Sequence, residues 1–286
     1  MATKKAASTV KKSTAKAPVA KKQTSTSTKV TTLKAVESRP THSAAAVSSS
    51  SSRRFGLVRT PLAAALIAEF VGTFIFAAVL VAGQGQPILA LFALAGVVFA
   101  VGSISGGYVN PALVVGAWAT RRMSGLRAIA YIVAQILGAM LALVVLNAFL
   151  GGVAQQATDQ LSQAPSLFKA AALPEGKEWY IFLSEFLGTM IFAFVAAGAF
   201  REVRDRTAKS FTLGLGVFLG LMVAGSVAVF FSANAILNPA VAISLQAINF
   251  SSVWPIAVYV IGSILGAVAG FGLYHLVSTA QKDATA

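Results

Sequence analysis

The amino-acid sequence predicts an all-α membrane protein: six transmembrane helices plus two re-entrant half-helices, arranged as an inverted 3+3 repeat. Three observations carry that expectation. The 286-residue chain is 56% hydrophobic and only 11% charged, where an average soluble domain is nearer a quarter charged. Its charge is segregated: residues 1–60 hold 13 Lys/Arg and one acid, Glu37, whereas residues 61–286 hold 10 basic and 8 acidic groups. The apolar body also repeats itself, with three matching segments in the same order.

Residues 1–53 are almost wholly Ala, Lys, Ser and Thr, as in Lys4-Lys5, Lys11-Lys12, Lys21-Lys22 and the run Ser48 to Ser52. Such a segment buries too little apolar surface to offset its chain entropy. Residues 1–60 are therefore expected to form a disordered basic cytoplasmic tail. It does not read as a secretory signal, because the first apolar run starts only near Leu62 instead of directly after the first charges. Its composition resembles that of linker-histone tails, but no folded nucleic-acid module accompanies the charges. Nucleic acid is set aside as a partner, and contact with anionic lipid is the expected one. Its Ser and Thr residues permit phosphorylation to cancel local positive charge.

In the body no charge falls between Glu69 and Arg121, between Arg127 and Asp159, or between Lys209 and Lys282. A spanning helix needs about 20 mostly apolar residues. Six such spans are placed at roughly 63–82, 88–104, 126–148, 179–199, 211–230 and 253–276. Helices of a soluble protein would show polar faces at helical spacing, and these segments are apolar all round. The Lys/Arg asymmetry sets the expected orientation. With the tail in the cytoplasm, 21 Lys/Arg lie inside and two, Lys169 and Lys177, outside; without the tail the split is eight to two. Both termini are then cytoplasmic, in a multi-pass protein of the plasma (inner) membrane. The domain is expected over 61–278, with repeats at about 61–150 and 178–278 and a short C-terminal tail at 279–286.

The repeat is explicit. Residues 68–77 (AlaGluPheValGlyThrPheIlePheAla) match 184–193 (SerGluPheLeuGlyThrMetIlePheAla). Residues 108–113 match 236–241 around Asn-Pro-Ala, and 130–139 match 258–267. Each half has three spans, an odd number, so the second half is inverted relative to the first. After its second span each half carries a short apolar segment, 105–120 and 232–250, too poor to span. Each opens with small residues and then reads Asn-Pro-Ala. Asn is a strong N-cap and Pro suits the first helical position, so Asn110-Pro111 and Asn238-Pro239 start two short helices. Non-helical backbone at membrane depth persists only when buried in protein or lining a wet cavity, which two re-entrant segments satisfy. One Asn-Pro-Ala is expected by chance in about one chain of this size in twenty; two at matching places are far rarer.

With these motifs the sequence resembles the major intrinsic proteins, the aquaporins and glycerol facilitators, over residues 61–276. The resemblance implies a right-handed bundle of six tilted helices and two half-helices, one pore per chain, assembled as a homotetramer. It implies passive conduction of water, glycerol or other small neutral solutes. The residues suggest how. Two helix N-termini meet near the pore centre, each with about half a positive charge, which disfavours cations. Asn110 and Asn238 can donate N–H bonds to a passing oxygen, orienting water away from the centre and interrupting a proton wire. Pore motifs are thus Asn110, Pro111, Ala112, Asn238, Pro239 and Ala240. The resemblance assigns Glu69, Glu185 and Gln135 to bracing the re-entrant loops. Gly72, Gly138, Gly188 and Gly266 read as close helix contacts, and Tyr131 and Tyr259 as packing residues.

The pattern departs from the family at its selectivity filter. The position three residues after the second Asn, usually Arg, is Val241. The other three filter positions fall on Ala90 (or a neighbour such as Leu91), Ser226 and Ala235. A ring of Ala90, Ser226, Ala235 and Val241 is small and uncharged, so the filter is expected to be wider than typical. Tyr108 or Phe231 moving in to narrow it is the alternative. Gly107-Tyr108 stand where Ala-His is common, and Asn234 where Gly is usual. A second reading is a non-conducting anchor or scaffold that presents the basic tail to anionic lipid or nucleic acid. Retention of both Asn residues favours the channel. An enzyme is not expected: the body has no nucleophile–base pair, and no catalytic residue is assigned. With no Cys and two His, no metal site and no cofactor is expected. His275 reads as an interfacial residue.

Overall fold

A computed structural model describes residues 61–154, 168–202, 204–250 and 252–285; the basic tail lies outside them. Among the described residues nine α-helices follow in order: α1 Pro61–Ala82, α2 Pro87–Val101, α3 Pro111–Ala119, α4 Gly125–Ala154, α5 Glu178–Ala199, α6 Arg206–Ala228, α7 Pro239–Ser244, α8 Trp254–Ile256 and α9 Ser263–Thr285. A π-helical stretch, Ala257–Gly262, joins α8 to α9 into one long rod. No strand occurs among the described residues.

Local chemistry explains the helix starts. Proline opens α2, α3 and α7, where its missing N–H costs nothing. The Asp205 carboxylate caps α6 by accepting from the Ala208 N–H at 2.9 Å. That cap starts α6 five residues before the expected 211. The last helix runs on to Thr285, so residues 279–285 of the expected C-terminal tail are helical.

Five helices are long and apolar enough to cross a bilayer; α2, with 15 residues, is shorter. At 1.5 Å per residue it covers about 22 Å of an apolar layer about 30 Å thick. The chain then continues through the irregular stretch 102–110 into α3.

The two halves pack alike. Helix α1 lies on α4 as α5 lies on α9, α1 meets α2 as α5 meets α6, and α2 meets α6 across the halves. Both close pairs depend on a glycine. A Cβ at Gly138 would collide with the Phe70 carbonyl of α1, and one at Gly266 with the Phe186 carbonyl of α5. The half-helices are exchanged: α3 packs on α9 of the second half, and α7 on α4 and α1 of the first. This is the inverted repeat, closed by each half inserting its short helix into the other.

Candidate pore

The centre is built from two residues in strained backbone. Val109 and Leu237, each just before an Asn, have φ of +52° and +59°, a region that β-branched and bulky residues rarely adopt. Both are fully buried and held on several sides. The Tyr108 and Val109 N–H groups donate to the two carboxylate oxygens of Glu69 at 3.0 and 2.8 Å. The Ile236 and Leu237 N–H groups donate to those of Glu185 at 2.6 and 2.9 Å. Each carboxylate takes one further donor from the third helix of its own half: Gln135 Nε2 to Glu69 at 2.7 Å and Ser263 Oγ to Glu185 at 3.0 Å. The π-helical stretch leads directly into Ser263.

These braces aim Asn110 and Asn238. Each side-chain oxygen caps its own half-helix, accepting from Ala112 N–H at 2.8 Å and from Ala240 N–H at 3.0 Å. Each side-chain nitrogen crosses to the other half. Asn110 Nδ2 donates to the Leu237 carbonyl and Asn238 Nδ2 to the Val109 carbonyl, both at 2.9 Å. The tips therefore meet. An amide nitrogen carries two hydrogens, so each Asn keeps one N–H for a permeating molecule.

On the side of α7 a cavity of about 210 Å³ opens above the tips, and its wall includes Gly85, Leu221, Gly225, Ala235 and Val241. Among the described residues no cationic side chain lines it. Of the four filter positions expected from the sequence, Ala235 and Val241 line it. Ser226 does not: it is exposed, and its hydroxyl donates to the Val223 carbonyl at 2.7 Å. The neighbouring Gly225 lines the cavity. Counting back from Asn238 runs through a 3₁₀ turn, Val229–Phe231, and one residue of error rotates a helical side chain by about 100°. Ala90 is also absent from the wall; Pro87, at the start of α2, lines it. Phe231 stacks on Tyr180 at 4.9 Å, and Tyr108 on Phe200 at 4.3 Å; neither narrows this cavity. Asn234 does line it, and its oxygen accepts from the Ala171 N–H at 2.7 Å, pinning the segment that carries Phe168, another residue of the wall.

The opposite end is rich in arginine. Helix α5 leaves four carbonyls without helical partners. Those of Ala196, Gly198 and Ala199 accept from Phe200, Arg201 and Glu202 N–H groups. The fourth, Ala197, accepts from Arg122 Nη1 at 2.9 Å. The Arg122 guanidinium also sits over the Phe271 and Tyr274 rings.

Sequence reasoning missed Ser263, Gly225, Leu221 and Arg122. Ser263 was within reach, since the repeat aligns it with Gln135.

The comparisons with known proteins agree with this geometry. The family model of the major intrinsic proteins matches residues 57–174 and again residues 172–286, once for each half. The chain belongs to the major intrinsic protein family. Nodulin-26 of Glycine max is 30% identical over 249 residues, which cover 80% of this chain and 83% of that relative. Aquaporin AqpM of Methanothermobacter marburgensis is 31% identical over 196 residues, covering 66% of this chain and 74% of that one. The X-ray structure of the aquaglyceroporin from Plasmodium falciparum has the same fold, with a TM-score of 0.57 at 20% identity, over 78% of this chain and 99% of that one. This major intrinsic protein is thus an integral, multi-pass membrane protein and a passive channel for water or small solutes. The family's members are channels and not enzymes, and the anchor-only reading is not favoured.

Proposed function

We propose that this channel passes water together with bulkier neutral solutes of glycerol or urea size, through an outer ring that is wider and less polar than the family's usual filter. The observation that carries this reading is the wall around Val241: Ala235, Gly225 and Leu221 beside it, and no cation. A filter arginine supplies fixed charge and hydrogen bonds that hold water and repel cations. With valine there, proton and cation exclusion falls to the two half-helix tips and their asparagines, Asn110 and Asn238. The channel works as a homotetramer, one pore per chain, in the plasma (inner) membrane with both termini cytoplasmic. The Lys/Arg bias supports that orientation, and the basic tail touches anionic lipid.

Stopped-flow swelling of proteoliposomes tests the reading. The wild-type protein is expected to conduct water and glycerol, and Val241→Arg to lower the glycerol-to-water ratio by about tenfold or more. Water flux without glycerol or urea flux in the wild type would falsify the wide ring.

A further inference from the structure

The pore of an inverted repeat runs along the seam between its halves, so a side-chain pair that bridges the seam next to the asparagines lies across the path of solute. One such pair exists on the arginine-rich side. Tyr108 belongs to the first half and stands two residues before Asn110. Phe200 belongs to the second half and caps the end of α5. Their rings stack with centroids 4.3 Å apart and planes 28° apart. Both side chains are only partly buried, at the junction of the two halves.

The pair is held in place. Gly106 and Gly107, with φ of +103° and +71°, turn the chain tightly before Tyr108. Glu69 fixes the Tyr108 N–H. Tyr131 meets the Tyr108 ring edge-on at 6.1 Å. Phe271 lies against Phe200 at 6.3 Å, and Lys209 places its ammonium 5.4 Å from the Phe200 ring centre. Rings stacked in this way prefer one geometry, and a neighbouring cation adds to that preference. On the other side of the asparagines the wall has Gly225, Ala235 and Val241, which are much smaller.

We infer that the Tyr108–Phe200 pair is the size-determining constriction of this pore, placing solute selection on the arginine-rich side of the asparagines and not at the Val241 ring. The inference rests on the wide-ring reading above. Its ligand class is narrow neutral solute: water and slender polyols pass beside the edge of the stacked pair, and bulkier or branched polyols are held back. Lys209 beside the pair, and Arg122 on Phe271, make the same passage unfavourable for cations.

The test uses the full chain in proteoliposomes, with water, glycerol and ribitol as probes. The wild type should pass water and glycerol and exclude ribitol. Tyr108→Ala and Phe200→Ala should each raise ribitol flux by about tenfold or more, the discrimination that a steric step of this size provides. Tyr108→Phe keeps the stacked ring and should keep the wild-type cut-off. Thermal melting in detergent identifies folded variants; should Tyr108→Ala fail to fold, Phe200→Leu replaces it. Folded alanine variants that conduct water and retain the wild-type polyol cut-off would overturn the inference while leaving the wide ring standing. Glycerol excluded by the wild type but admitted by Phe200→Ala would uphold both the constriction and the wide ring, whereas glycerol excluded by the wild type and by both folded alanine variants would sink the wide ring and the inference with it.

Discussion

A carboxylate inside a bilayer span is costly unless fully partnered, and Glu69 and Glu185 are fully buried. Each accepts two backbone N–H groups and one side-chain donor. Their role is to hold backbone that has no helical partners. Removing one leaves two buried N–H groups unpaired, at about 1–3 kcal/mol each. Glu185→Ala should therefore lower the melting temperature in detergent and reduce water flux, because the Asn238 tip loses its support. Glu185→Gln keeps the shape but turns one acceptor into a donor, and should fall between alanine and wild type. A Gln variant as damaged as alanine would argue that the charge, and not the acceptor pair, holds the loop. At this scale the sequence is uneven as a guide. Asn110, Asn238, Glu69 and Glu185 are legible because a polar group in an apolar span needs a reason. Ser226 and Ala90 do not line the cavity beside Val241; small residues carry no such signal, and helical phase is lost across the irregular turn before Asn238.

The half-helices show how a weak element is stabilised by its surroundings. Helix α7 has only six residues, far too few to persist alone. It forms because Asn238 caps it, Pro239 presets its first turn, and α4 and α1 enclose it. Helices α1 and α4 approach closely through Gly138, and α9 and α5, which pack on the other half-helix α3, through Gly266. At Gly138 and Gly266 the atom met by an added methyl is a backbone carbonyl oxygen, which cannot swing aside as a side chain can. Gly138→Ala and Gly266→Ala should each cost about 1–3 kcal/mol, read as a lowered melting temperature in detergent. Gly96→Ala is the comparison, since nothing lies within 4 Å of a methyl there, and it should leave stability unchanged or slightly improved. Equal losses at all three positions would mean that helix packing is not the cause. Element identity was legible from hydropathy and from proline, but element ends were not. Asp205 draws α6 back to Arg206, and the 15-residue α2 stops short because the next residues must turn toward Asn110.

For the whole molecule the decisive feature is exchange between the halves. Helix α3 packs on α9 and α7 on α4; Asn110 donates to Leu237 O and Asn238 to Val109 O; Arg122 satisfies the Ala197 carbonyl of α5. Each half therefore completes its backbone hydrogen bonding only in the presence of the other. A half expressed alone would carry a half-helix without its packing partners and an asparagine without its acceptor, in a medium where unpaired polar groups are expensive. The internal repeat was legible from three aligned segments, whereas the exchange was not, because alignment reports likeness and says nothing of which copy a segment touches. Splitting the chain between Ala154 and Phe168 tests the point. Either fragment alone should give no water flux above empty vesicles and should be cleared by protease. The two fragments expressed together should reassemble a conducting pore, since the contacts that join the halves are side-chain and helix contacts and do not need a continuous chain. Flux from one fragment alone would show that a half can pair with its own copy, and that the exchange between unlike halves is not what closes the channel.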